Sequence, residues 1–172
     1  MARSQGLCIA DSLKLTLGYA ERLLKGINAD QFARLANVGG TVVNSNHPAF
    51  ILGHLALYGP RVAHELGGDV VAIPESFEPV FSHTVTCVDD PDASIYPTMD
   101  EVTNVFFEGY QKALAALETA TDEQFAAVNP TEAMIPKFPT IGSMHAFYVG
   151  GHMMIHLGQL SAWRRMMGME PA

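Results

Sequence analysis

The sequence predicts an all-α fold: a four-helix bundle with a long crossover connection between its second and third helices. Three observations predict it. Four long segments repeat apolar residues at three- and four-residue spacing, the pattern of an amphipathic helix. No credible run of alternating apolar and polar residues marks a strand. The length, 172 residues, suits one domain with a sizeable core, so a single bundle domain is expected over 1–172. No internal repeat is evident.

The first helix is expected from about Ser4 to Gly26. Leu13, Leu17, Ala20, Leu24 and Ile27 form its stripe, and Gly26 and Asn28 are stop signals. The stretch from Asp30 to Asn46 reads as a short helical turn, then a loop at Gly39-Gly40. The second helix opens at Asn46 as N-cap, with Pro48 in its first turn, where a missing N–H costs little. Phe50, Ile51, Leu52, Leu55, Leu57 and Tyr58 make it apolar on most sides. Gly59-Pro60 should kink it, because Pro60 cannot donate back to Ala56, and it stops at Gly67-Gly68.

Residues 67–97 carry prolines 74, 79, 91 and 97 and the turn signal Asp89-Asp90-Pro91-Asp92. At ~3.3 Å per residue, about 31 residues can travel the ~30 Å length of a 20-residue helix. The second and third helices can therefore run parallel, joined by a strap that Phe77, Val80, Phe81, Val85 and Val88 pack down. The third helix starts at the capping box Thr98-Met99-Asp100-Glu101. It buries Val102, Val105, Phe106, Gly109, Ala113, Ala116 and Leu117, and ends near Ala120. Asp122-Glu123-Gln124-Phe125 is one more short turn, and 129–140, with three prolines, is a loop. The fourth helix runs from Thr140 or Gly142 to about Met167 and stops at Gly168.

Composition bounds the function. The formal charge is −8, which argues against a nucleic-acid partner, since phosphate neutralisation needs a basic patch and the nearest candidate is the pair Arg164-Arg165. Apolar runs are too short to span a bilayer, so no membrane is expected. The N-terminal segment lacks the order of a secretory signal, with Leu13-Lys14-Leu15 and Glu21-Arg22 breaking any apolar region. A cytoplasmic address follows, with Cys8 and Cys87 as reduced thiols rather than a disulfide.

The most informative stretch is Gly151-His152-Met153-Met154-Ile155-His156-Leu157-Gly158-Gln159. Histidines four apart land on one helix face, one turn apart, where two imidazoles can reach one metal ion. Met153, Met154, Ile155, Leu157, Leu160 and Trp163 argue that the pair is buried, and buried polar groups need partners. A third ligand has to come from another helix. His54, mid-helix between apolar residues, is the best candidate. His64, turned about 80° away beside Glu65, reads as surface. His83 lies in the strap; with Cys87 it makes an H-x3-C pair that nothing completes. His47 and His145 sit ~10 Å along the axis from the pair members on their own helices, too far to share the ion, and read as hydrogen-bonded core or rim histidines.

These residues resemble a known family. His152-x3-His156-x-Gly158-Gln159-Leu160, with Arg164-Arg165-Met166-Met167-Gly168-Met169-Glu170-Pro171, looks like the C-terminal helix of the DinB/YfiT-like metalloenzymes. Asn46-His47-Pro48-Ala49-Phe50-Ile51-Leu52-Gly53-His54-Leu55 resembles their second helix, and Tyr96-Pro97-Thr98-Met99-Asp100-Glu101 and the turn at Asp122 also fit. The resemblance implies a four-helix bundle with the long connection, a divalent transition metal (Zn, Ni or Fe) on His54, His152 and His156 with water completing the shell, and a homodimer. It implies thiol-dependent transferase or isomerase chemistry on a small-molecule substrate, with a low-molecular-weight thiol as cosubstrate. The chain departs from the family at Leu157, where many members carry His or Arg.

Three neutral imidazoles leave a cation open positions, as in a catalytic site. Two chemistries follow: activation of a thiol as nucleophile, or activation of water for hydrolysis. A third reading is a non-catalytic bundle whose cation holds the fold. Position 153 is Met, so the glutamate base of H-E-x-x-H is missing, which favours thiolate chemistry or none over hydrolysis. Gln159 either orients a ligand or caps a loop carbonyl. Tyr58, four after His54, lines the pocket or packs in the core; Trp163 and Met166 read as core or dimer surface; Asn44 and Asn46 read as caps.

Overall fold

The computed structural model describes residues 3–172; the expected domain also takes in Met1 and Ala2, which lie outside the described residues. The chain is mostly helical. Helix α1 (Gln5–Leu24) begins where the Ser4 side chain accepts the Leu7 N–H, and it ends before Gly26, whose φ of +80° suits glycine. Helix α2 (Ala29–Phe32) is closed by a reciprocal Asn28–Gln31 capping box. The expected loop at Gly39-Gly40 is instead a small antiparallel hairpin, β1 (Asn37–Val38) and β2 (Thr41–Val42). Both glycines have positive φ, +59° and +86°, as a tight hairpin turn requires.

The second helical rod is two pieces, α3 (Pro48–Ala56) and α4 (Gly59–Glu65), broken where Pro60 has no N–H to give. Its N-cap is His47, not Asn46. The His47 ring accepts the Phe50 N–H through Nδ1 at 3.2 Å and donates through Nε2 to the Val88 carbonyl at 2.9 Å. Asn46 is thereby freed for a different partner, described below. The strap contains one helical turn, α5 (Glu78–Phe81). Phe77 and Phe81 are fully buried and anchor it, whereas Val88, expected inside, is exposed; its carbonyl, not its side chain, is what the core uses. Asp90 accepts the N–H groups of Ser94, Ile95 and Tyr96, and Asp89 pairs with Arg34, which holds the far end of the strap.

Helix α6 (Met99–Thr119) starts at Thr98, which accepts the Glu101 N–H; among the described residues only this half of the expected capping box forms. All seven residues assigned to its buried face are buried, and Tyr110 joins them. After α7 (Asp122–Ala126) and a single 3₁₀ turn, the last rod is α8 (Ile141–Ala146), a π-helical stretch over Phe147–His152, and α9 (Met153–Met166). A continuous α-helix was the expectation; the wider turn falls on Gly150-Gly151, where missing side chains ease the expansion.

Close contacts fix the directions. A Cβ at Gly59 would lie 2.8 Å from the Gly109 carbonyl carbon, and one at Gly68 2.8 Å from Ala116 Cβ, so α4 and α6 run side by side in the same sense. Pairings of Asn46 with Gln159 and Glu65 with His145 set α3 and α4 opposite in sense to the last rod. Arg164 donates to the Leu23 and Lys25 carbonyls at the end of α1, where a cation also offsets the helix dipole. Trp163, fully buried, donates to the Arg34 carbonyl at 2.8 Å. Among the described residues no helix is long and apolar enough to cross a membrane.

Replacing Gly109 by Ala should cost about 1–3 kcal/mol, because a Cβ there would meet Pro60 Cδ at 2.9 Å. Gly158→Ala, with nothing within 4 Å, should be neutral or stabilising by up to ~1 kcal/mol. Urea denaturation of the two variants checks both signs; equal stabilities would mean that α4 and α6 are not in such close contact.

Candidate metal centre

The site is built where α3 faces the start of α9. His54 comes from the middle of α3, where every residue is buried. His152 closes the π-helical stretch and His156 lies in the first turns of α9. The His152 and His156 rings are 4.8 Å apart and perpendicular, as the four-residue spacing dictates. The His54 ring is 5.2 Å from His152 and 4.9 Å from His156. One ring nitrogen from each of the three lies within 4.8 Å of the others, and His54 Nε2 faces His152 Nε2 at 3.3 Å. Two nitrogens bound to one tetrahedral cation at ~2.0–2.1 Å stand about 3.3 Å apart, so this spacing fits a shared ion.

The outer nitrogens tell the same story. His54 Nδ1 donates to the Phe81 carbonyl at 2.8 Å, and His156 Nδ1 donates to Gln159 Oε1 at 3.1 Å. Each bond fixes the tautomer that leaves an Nε2 lone pair pointing inward. Gln159 Oε1 is itself held by Asn46 Nδ2 at 3.0 Å, so one amide ties α3 to α9 and orients a ring. His152 Nδ1 is buried with no partner among the described residues. Three close imidazoles must all stay neutral. Burial holds His152 down to about 3, aided by the neighbouring His156 and His54 charges, and His156 down to about 4; His54 is lowered as well, by burial first. Neutral, inward-aimed lone pairs in this number are a donor set for zinc, nickel or iron.

Around the trio stand aromatic rings. Tyr58 meets His152 edge-on at 4.6 Å and His54 at 5.2 Å; burial raises its hydroxyl pKa. A cavity of about 350 Å³ opens beside His54 and His156, walled by Asn46, Phe50, Ser82, His83 and Cys87. A second, of about 180 Å³, is lined by Tyr58, Arg61, Glu78, Ser82 and His83. The strap residues Ser82 and His83 belong to both.

The sequence-predicted ligands His54, His152 and His156 converge, with Gln159 and Tyr58 touching them; His152 and His156 are half-buried rather than buried, because Met154 and Ile155, expected to enclose them, point to solvent. His47 and His145 are fully buried at opposite ends of the rod pair, away from the trio. His64 is exposed, as expected. Sequence reasoning missed the Phe81 carbonyl, a backbone group with no side-chain signature, and the pairing of Asn46 with Gln159. It also passed over Arg61, although Arg61 is seven residues after His54 and so on the same stripe. No family model matches the chain, and neither a curated protein nor a solved structure matches it.

Gln159→Leu should weaken divalent-metal affinity by about 10–100-fold with little change in helicity, measured by competition with a chromogenic chelator. An unchanged affinity would reduce the amide to a structural tie.

Four histidines, 47, 145, 152 and 156, have folded-state values near 4 or below, against an ordinary 6.5 when unfolded. Above 6.5 they are neutral in both states. As the pH falls below 6.5 the unfolded chain takes up protons first, so stability drops until the folded values are passed. Unfolding of the metal-free protein at pH 5 should therefore take up about four protons through these side chains. The slope of unfolding free energy against pH, taken near pH 5, measures that number; a flat profile would contradict it.

Proposed function

We propose that the chain is a divalent-metal-dependent enzyme of the DinB/YfiT-like kind, a four-helix bundle whose second and third helices are joined by a crossover strap. In this reading it is a thiol-dependent S-transferase or isomerase. The observation that carries the metal centre is the convergence of His54, His152 and His156 from two antiparallel rods, with the outer nitrogens of His54 and His156 already engaged. The cavities of about 350 and 180 Å³ on either side support a site open to small molecules, where a purely structural ion would be closed off. The family reading rests on the motif at 152–171 and on the helical order.

A bound divalent cation would supply Lewis acidity, lowering the pKa of a thiol so that it reacts as thiolate near neutral pH. The chain's own residues do the rest. The three imidazoles hold the ion, and the Phe81 carbonyl and Gln159 keep two of them in register. Phe50 and Tyr58 wall the two cavities beside them. No carboxylate lies among the three ligands, and burial lifts the Cys87 thiol to about 11, so the residues at hand favour a thiol brought in as substrate over one supplied by the chain. Leu157, where relatives of this kind carry a basic residue, is fully buried and contributes packing.

Purified protein should carry one divalent transition metal per chain, and His54→Ala, His152→Ala and His156→Ala should each abolish stoichiometric binding, read by elemental analysis. After cobalt substitution, small thiols should produce a sulfur-to-metal charge-transfer band in the near ultraviolet. Absence of that band across several thiols, with cobalt bound, would overturn the thiol reading.

A further inference from the structure

One wall of the smaller cavity holds a cation that the metal centre does not use. Arg61 lies on α4, seven residues beyond His54 and three beyond Tyr58. Its Nε donates to Glu65 Oε1 at 2.8 Å, one Nη donates to Thr131 Oγ1, and its guanidinium lies 5.4 Å from the centre of the Tyr148 ring. An ion pair with the mostly buried Glu65, a hydrogen bond and a ring face hold the planar group still. The other Nη has no protein partner among the described residues, and Arg61 lines the cavity of about 180 Å³ with Tyr58, Ser82 and His83. Glu78 also lines this cavity but is solvent-exposed and makes no ion pair with Arg61. Tyr58 bridges the two regions, since its ring also touches His152.

We propose that Arg61, with the Tyr58 and Ser82 hydroxyls, forms an anion subsite that binds a carboxylate carried by the small-molecule ligand, while the ligand's other end lies at the three histidines. A guanidinium fixed in advance loses little freedom on binding, and it pairs with a planar carboxylate better than a lysine would. The volume equals about six waters at ~30 Å³ each, enough for a carboxylate and a short chain. The subsite makes reach a determinant of specificity: the carboxylate and the reacting atom must be separated by the span from Arg61 to the imidazoles. It deepens the thiol reading given above and rests on it for the reactive end only. The competing role for Arg61 is bracing, since its bond to Thr131 ties α4 to the loop before α8.

Calorimetric titration of the zinc-loaded protein tests this. The probes are ω-mercapto acids of three, four and six carbons, the matching ω-mercapto alcohols, and butyrate and hexanoate. At one chain length the acid should bind at least about tenfold tighter than its alcohol, as a charge-assisted hydrogen bond implies. Arg61→Met should erase that preference and Arg61→Lys should keep part of it. Thr131→Val, which removes the brace alone, should leave it intact. Equal affinity of acids and alcohols at every length in the wild-type protein overturns the subsite and leaves the thiol reading standing, and this arm needs no variant to fold. Binding of butyrate or hexanoate that Arg61→Met abolishes, with no gain from sulfur, supports the subsite and removes the thiol reading. No binding by any probe overturns the subsite.

Discussion

A buried imidazole has two nitrogens to satisfy, and three of them packed together have six. The centre of this protein is arranged around that requirement. The inward nitrogens of His54 and His152 face each other at 3.3 Å, a separation at which two lone pairs repel unless a proton or a cation lies between them. The outward nitrogens are drawn off by groups from elsewhere: a strap carbonyl for His54 and an α9 amide for His156. Asn46, just before α3, grips that same amide, so one chain of hydrogen bonds joins the start of α3 to α9 and to the His156 ring. Gly53 fits the scheme. Its missing side chain lets the Phe81 ring lie directly on α3, which brings the Phe81 carbonyl within reach of His54.

The sequence was most readable where one period and one chemistry coincided. The apolar stripe of α6 was legible almost residue by residue, because a helix face is a local property; on α1 Leu13, Leu17 and Ala20 are buried as expected, but Leu23 rather than Leu24 faces inward. The histidine pair was legible because four-residue spacing is itself a geometric statement. His54 followed from its apolar neighbours. What was not legible is non-local or belongs to the backbone. Asn46, two residues before Pro48, has every attribute of an N-cap, yet His47 takes that place, with Val88, forty-one residues away, accepting from the other side of its ring. The change of helical pitch over Phe147–His152 leaves no mark in the sequence beyond two glycines.

That wider turn matters to the site. His152 is its final residue, so the ring's approach to His54 is set by a segment of wider helical turn, while His156 is placed by regular α-helix. Of the three rings, His152 is also the one whose outer nitrogen is buried without a protein partner. His54 and His156 are held from behind; His152 is held by Tyr58, Phe147 and Tyr148 around its edges. The trio thus combines two rings tied by hydrogen bonds with one confined by aromatic packing.

The separations along the chain carry a kinetic consequence. His54 and His152 are 98 residues apart, and the strap carbonyl that orients His54 comes 27 residues after it. Local structure alone can assemble only the pair on α9. The third donor arrives when the rods have docked and the strap has closed, events of high contact order. An ion captured by all three would therefore meet a protein that has already folded. It would act as a lock on the way out, slowing the escape from the native state while leaving the search for it nearly untouched.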